Sequence, residues 1–108
     1  MVNSKEASFA YLETLSDEQL CAACQLGNRN AEEVLAARYH RLVRSIARPY
    51  FLAGGDNEDL LQEGMVGLIK AMREYDPHQA ASFCTCAEVC IRRRLYSVLK
   101  SASSGKHQ

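Results

Sequence analysis

From Leu20 to Val98 the apolar residues of this chain recur at intervals of three and four, and no apolar run alternates with period two between turn signals. Such spacing puts the apolar side chains on one side of an α-helix and on neither side of a strand. The chain is therefore predicted to be all-α, a compact bundle of about four helices with no sheet.

Helix punctuation divides the bundle. Ser16 with Gln19 forms a capping box, Leu20, Cys21 and Cys24 give one apolar stripe, and Gly27 can close that helix. Asn30 with Glu33 is expected to cap a longer helix, in which Leu35, Tyr39, Leu42, Val43, Ile46 and Tyr50 share a face and Arg38, Arg41, Arg44 and Arg48 lie off it. Pro49 should kink or end this helix within a turn, and Gly54-Gly55 finish the loop. Asp56 opens a third helix running to about Tyr75, stopped by Asp76-Pro77. Ser82 caps a fourth that runs to about Ser101. Residues 1–15 are expected to be a partly ordered tail, 16–101 the helical domain, and 102–108 frayed.

A chain of 108 residues is long enough for one core. It has no charge-free apolar stretch of membrane-spanning length, and its first residues lack the apolar core of a signal peptide. These features suggest a cytoplasmic protein. The five cysteines are read as thiols, because a reducing compartment and an odd number argue against a disulfide framework.

Net charge is zero, which gives phosphate little to attract, but the charges are segregated. Residues 1–77 hold eight Lys/Arg against twelve Asp/Glu, while residues 78–108 hold five against Glu88 alone. Two partners of different chemistry are implied.

On the third helix, Leu61, Gly64, Met65, Leu68 and Met72 form the core face. Gly64 and Gly67, each costing about 1 kcal/mol relative to Ala in a helix, imply close approach of another backbone, with Gly64 on the core side. The opposite face carries Asp59, Gln62, Val66, Lys70 and Arg73, with Ile69 at its margin. Periodicity alone favours a solvated face with a stray valine over a protein-docking patch.

On the fourth helix, Phe83, Ala87, Cys90, Ile91, Leu95 and Val98 face the core. Thr85, Val89, Arg92, Arg93, Tyr96 and Lys100 gather opposite, a combination able to neutralise phosphates and stack on bases. By itself this pattern leaves nucleic acid and a solvated basic face equally open. Arg94 points into the stripe and is expected to snorkel or pair with a carboxylate at its edge.

Cys21-Ala-Ala-Cys24 has metal-knuckle or redox spacing, but it falls within a predicted helix and Cys90 falls on an apolar stripe. Structural thiols are favoured, with no metal and no cofactor. His40, His78 and His107 are scattered and form no nucleophile–base pair, so no enzyme is expected.

Taken together, Asp59-Leu-Leu-Gln-Glu-Gly-Met-Val-Gly-Leu-Ile-Lys-Ala-Met-Arg-Glu-Tyr-Asp76 and Phe83-Cys-Thr-Cys-Ala-Glu-Val-Cys-Ile-Arg-Arg-Arg94 resemble region 2 of the sigma-70 family of transcription initiation factors. Tyr39-His-Arg-Leu-Val-Arg-Ser-Ile-Ala-Arg48 resembles the helix preceding it, so the likeness spans residues 16–107. The stretch Arg48-Pro-Tyr-Phe-Leu-Ala-Gly-Gly-Asp56 and the closing Gly-Lys-His107 are most similar to the sporulation sigma-H type.

The resemblance implies that Asp59, Gln62, Glu63, Val66 and Ile69 dock on the clamp helices of the RNA polymerase beta-prime subunit. It implies that Arg92, Arg93 and Tyr96, with Lys100 on the same face, contact the promoter minus-ten element. Tyr75, Asp76, Thr85, Cys86 and Val89 would surround the pocket for a flipped base. An anti-sigma factor is a further expected partner, and a stand-alone module that occupies polymerase or that factor without opening DNA is the alternative. Cys86, Val89 and Cys90 stand where the housekeeping pattern has a tyrosine and two tryptophans, which implies weaker stacking and greater dependence on promoter sequence. Nothing in the chain corresponds to the second helical domain that reads the minus-thirty-five element.

Overall fold

The computed structural model describes residues 4–52 and 57–105. It contains five helices: α1 (Ser4–Leu12), α2 (Asp17–Gln25), α3 (Arg29–Leu52), α4 (Asn57–Glu74) and α5 (Phe83–Gly105). No strand occurs among the described residues. The all-α architecture matches expectation, with one helix more than the four anticipated.

That extra helix is α1. It puts Leu12 into the core and half-buries Phe9, too few apolar positions to make a periodic signal. The turn after it is tied to α3 by Arg38, whose Nη1 donates to Leu15 O and Asp17 Oδ1 at 3.0 Å and whose Nη2 donates to Glu13 O at 3.2 Å.

α2 begins with the expected capping box, Ser16 Oγ accepting from Gln19 N and Gln19 Oε1 accepting from Ser16 N. It is followed, after the capping residue Leu26, by Gly27, whose φ of 96° suits a residue without Cβ. Asn28 N then donates to Ala23 O and Gly27 N to Cys24 O, satisfying carbonyls at the helix end.

The cap of α3 is Asn28, whose Oδ1 accepts from Ala31 N at 3.0 Å, and not Asn30. One residue both completes the α2 terminus and starts α3, so the corner is two residues tighter than anticipated. Pro49 lies inside α3, which among the described residues runs to Leu52. The expected Gly54-Gly55 turn and Asp56 cap lie outside the described residues. α5 starts after Ser82, whose Oγ accepts from Thr85 N, and it continues past Ser101 to Gly105. Of the tail 102–108 expected to be frayed, residues 102–105 are part of α5, and 106–108 lie outside the described residues.

α3, α4 and α5 pack around a core of Leu35, Val43, Leu68, Met72, Phe83, Ile91 and Leu95. Phe83 stands edge-on to Tyr39 at 5.2 Å and to Tyr75 at 5.6 Å between ring centroids. On α4 the buried residue of the first turn is Leu60, whereas Leu61 and Met65 are half-buried, so the core face is rotated slightly from the predicted stripe. Both glycines of α4 are buried. It is Gly67 that meets backbone, because a Cβ there would lie 2.9 Å from Cys90 O and 3.1 Å from Ile91 Cα; at Gly64 the nearest atom is Val43 Cγ1 at 2.6 Å.

Candidate nucleic-acid interface

The packing of Gly67 against the backbone of α5 fixes which way α5 faces. With Phe83, Ala87, Ile91 and Leu95 buried against α4 and α3, the other side of the helix presents Thr85, Val89, Arg92, Arg93, Tyr96 and Lys100, all exposed. Its N-terminus is held twice, by the Ser82 cap and by Glu18 of α2, whose Oε2 accepts from Phe83 N at 3.1 Å. Glu18 was not singled out in the sequence, because an acidic residue in the first turn of α2 carries no mark of a contact 65 residues away.

The cations on this face are not equivalent. Arg92 donates through Nε and Nη2 to Glu88 Oε1 at 3.2 and 3.0 Å, an exposed pair one turn apart. Such pairs are worth about 0.2–1 kcal/mol, so phosphate can compete for the guanidinium. Arg93 and Lys100 have no ion pair among the described residues. Tyr96 is 63% exposed.

The five residues expected around a base pocket lie at the start of the 75–82 connection and on the first two turns of α5. Tyr75 is buried at its start, with its hydroxyl donating to Ala81 O at 3.0 Å and its ring edge-on to Phe83. Its ring is therefore part of the wall behind the connection and offers no open face for stacking. Asp76, Thr85 and Val89 are exposed and Cys86 is half-buried, its sulfur accepting from Gln79 Nε2 at 3.1 Å. Asp76 Oδ1 in turn accepts from His78 N and shapes the turn.

On α4, Asp59, Gln62 and Val66 are exposed and Ile69 is half-buried, so the predicted docking face is open at those positions. Glu63 is instead turned toward α5, where both its oxygens accept from Arg94 Nη2 at 3.1 and 3.3 Å. Arg94 thus has the carboxylate partner expected of a cation at the edge of an apolar stripe. Between the helices runs a groove of about 490 Å³ lined by Val66, Gly67, Lys70, Cys90, Arg93 and Ser97. Lys70, on the outward face of its helix, lines this groove together with Arg93 and Glu74.

Burial pushes the Cys21 thiol up to about 12 and raises those of Cys24 and Cys90 as well. Neutral thiols are weak nucleophiles and weak metal ligands, so these groups behave as small apolar side chains. No helix among the described residues is long and apolar enough to cross a membrane.

The family model for sigma-70 region 2 matches residues 35–104, from within α3 to the end of α5. The chain belongs to the sigma-70 region 2 family. It is 41% identical over 93 residues to the RNA polymerase sigma-H factor of Bacillus subtilis, an alignment covering 86% of this chain and 43% of that protein. The sigma-H factor of Bacillus licheniformis is likewise 41% identical over 93 residues, covering 86% and 42%. The sigma factor FliA of Pseudomonas aeruginosa is 44% identical over 69 residues, covering 59% and 27%. The chain spans less than half the length of these relatives. Within this sigma-70 region 2 domain, the basic face, the 75–82 connection and the exposed side of α4 all fall inside the matched residues.

Proposed function

We propose that this chain is the promoter-reading and polymerase-docking domain of an alternative, sporulation-type sigma factor, a non-enzymatic cytoplasmic protein that acts in transcription initiation. The observation that carries this reading is the fixed, outward α5 face, where Arg93, Tyr96 and Lys100 are exposed and Arg92 is held only by an exposed pair. Its occurrence in a chain so similar to sigma-H factors supports the minus-ten element as the ligand of that face.

In this reading Arg92, Arg93 and Lys100 neutralise phosphates and Tyr96 contacts the strand. Asp76, Thr85, Cys86 and Val89 line the mouth of the base pocket, while Tyr75 braces it from behind. Because Cys86, Val89 and Cys90 offer no aromatic face, an extruded base is held by shape and by polar contacts, so strand opening depends more on promoter sequence. The exposed side of α4, with Asp59, Gln62, Val66 and Ile69, docks on the beta-prime clamp helices. Glu63 serves that face from its edge, sharing its charge with Arg94.

The test is binding to a single-stranded non-template minus-ten oligonucleotide and to a scrambled oligonucleotide at fixed salt, with and without polymerase. Preference for the minus-ten sequence supports the reading. Equal binding of the two strands with polymerase docking intact would instead assign the chain to an interaction module that occupies polymerase or an anti-sigma factor without opening DNA.

A further inference from the structure

A second basic surface lies on α3, and neither the minus-ten reading nor the α4 docking face uses it. Arg38, Arg41, Arg44 and Arg48 fall on one side of that helix at three- and four-residue spacing. Arg38 is consumed by the turn after α1, as described above. The next three are exposed and make no ion pair among the described residues. Val43, which packs at Gly64 of α4, lies on another side of the helix, so the arginines stay at the surface. Their Cα atoms step along the axis by about 4.5 and then 6 Å. Ser45, exposed between Arg44 and Arg48, is small and leaves the surface flat.

At the C-terminal end of this stripe is a hollow of about 270 Å³ lined by Arg44, Arg48, Phe51, Glu58 and Leu61. Phe51 and Leu61 are half-buried, so the hollow has apolar walls. We propose that this face of α3 docks an acidic amphipathic helix of another protein. Carboxylates at i, i+3 and i+7 of the partner would meet the three guanidiniums, which accept carboxylates in bidentate geometry. An apolar residue one turn further on would enter the hollow, the anchor-and-rim arrangement usual for a helix laid on a surface. Glu58 on the hollow's rim repels acid there, which sets the direction of the partner: acidic residues toward Arg41, apolar anchor toward Leu61.

A nucleic-acid backbone would also be drawn to three arginines, yet it has no aliphatic group to fill the hollow. The stripe itself, moreover, has no aromatic residue for bases to stack on. The proposal stands whether or not the α5 face reads a promoter.

It is tested with the full chain and a fluorescent helical peptide of about 20 residues, long enough to hold a helix, bearing Glu at i, i+3 and i+7 and Leu one turn beyond. The triple change Arg41→Glu, Arg44→Glu and Arg48→Glu is expected to weaken peptide binding by about tenfold or more, as three exposed pairs are lost and reversed. Arg92→Ala with Arg93→Ala should leave it within about twofold, and Leu→Ser in the peptide should weaken it about fivefold. All the altered side chains of the chain are exposed, and circular dichroism of each variant checks that it remains folded. The proposal is overturned if a peptide with the same residues scrambled binds equally well, or if no saturable binding occurs at about millimolar peptide. It is also overturned if the triple change spares the peptide and weakens binding of a short DNA duplex, which would make the stripe a phosphate surface.

Discussion

At Gly67 a methyl group would have to share space with main chain. A Cβ would stand 2.9 Å from Cys90 O, 3.0 Å from Arg94 Cβ and 3.1 Å from Ile91 Cα, and neither a carbonyl nor a helix backbone can swing aside as a side-chain tip does. Gly67→Ala gains about 1 kcal/mol of helix propensity but incurs an overpacking cost of about 1–3 kcal/mol. We expect net destabilisation of about 1 kcal/mol and a fall in Tm of about 4–8 °C, read by thermal unfolding. An unchanged or higher Tm would mean that α4 and α5 can separate freely. Cys21 makes a second prediction at this scale. Its folded thiol is raised to about 12 from an ordinary value of 9.0, so between those values the unfolded chain has lost a proton that the folded chain keeps. The stability this contributes is present below pH 9 and lost as pH rises toward 12; Cys21→Ala should flatten that decline in urea titrations at stepwise pH. The acid side of the stability curve should be unaffected by the same change.

The helices show what was legible in the sequence and what was not. Ser16-Gln19 and Ser82 were readable because a cap needs only a side-chain oxygen within three residues of the amide that it satisfies. The start of α3 was misread at Asn30, since Asn28 and Asn30 are chemically alike and only the Gly27 corner decides between them. Asn28→Ala is expected to cost about 1 kcal/mol, and Asn30→Ala less than half of that, by equilibrium unfolding. α1 was missed because its stability comes from Leu12 in the core and from Arg38 reaching back across 23 and 25 residues, contacts that no local pattern encodes. The outward face of α4 was legible as a position but not as a site, because Val66 among charges looks the same whether water or a protein covers it. Gln62→Ala with Val66→Ala separates those meanings: the pair should weaken binding to the isolated clamp-helix segment while leaving Tm within about 1–2 °C, as exposed substitutions usually do. Normal binding by the double variant would return this face to solvent.

For the molecule as a whole, zero net charge means that any affinity for nucleic acid must come from where the charges sit, and salt is the measure of that. Binding of a single strand releases about 0.7 counterions per phosphate contact, so the slope of log affinity against log salt counts the cations engaged. Arg93 enters with its full charge, whereas Arg92 must first leave Glu88, with which it shares 3.0 and 3.2 Å hydrogen bonds. Arg92→Ala with Arg93→Ala should therefore flatten the slope by somewhat less than two contacts, about 1.0–1.4 in all. Glu88→Gln should act in the opposite direction, freeing Arg92 and raising affinity by up to about fivefold at low salt, the most that an exposed pair is worth. The arginines of α3 provide the control that a purely global field would fail. If attraction were set by total charge, Arg41→Glu with Arg44→Glu would flatten the slope as much as the α5 pair. With the strand on α5 and the stripe on a different helix, the slope should hardly move, and a matching fall would show that the two basic faces act as one.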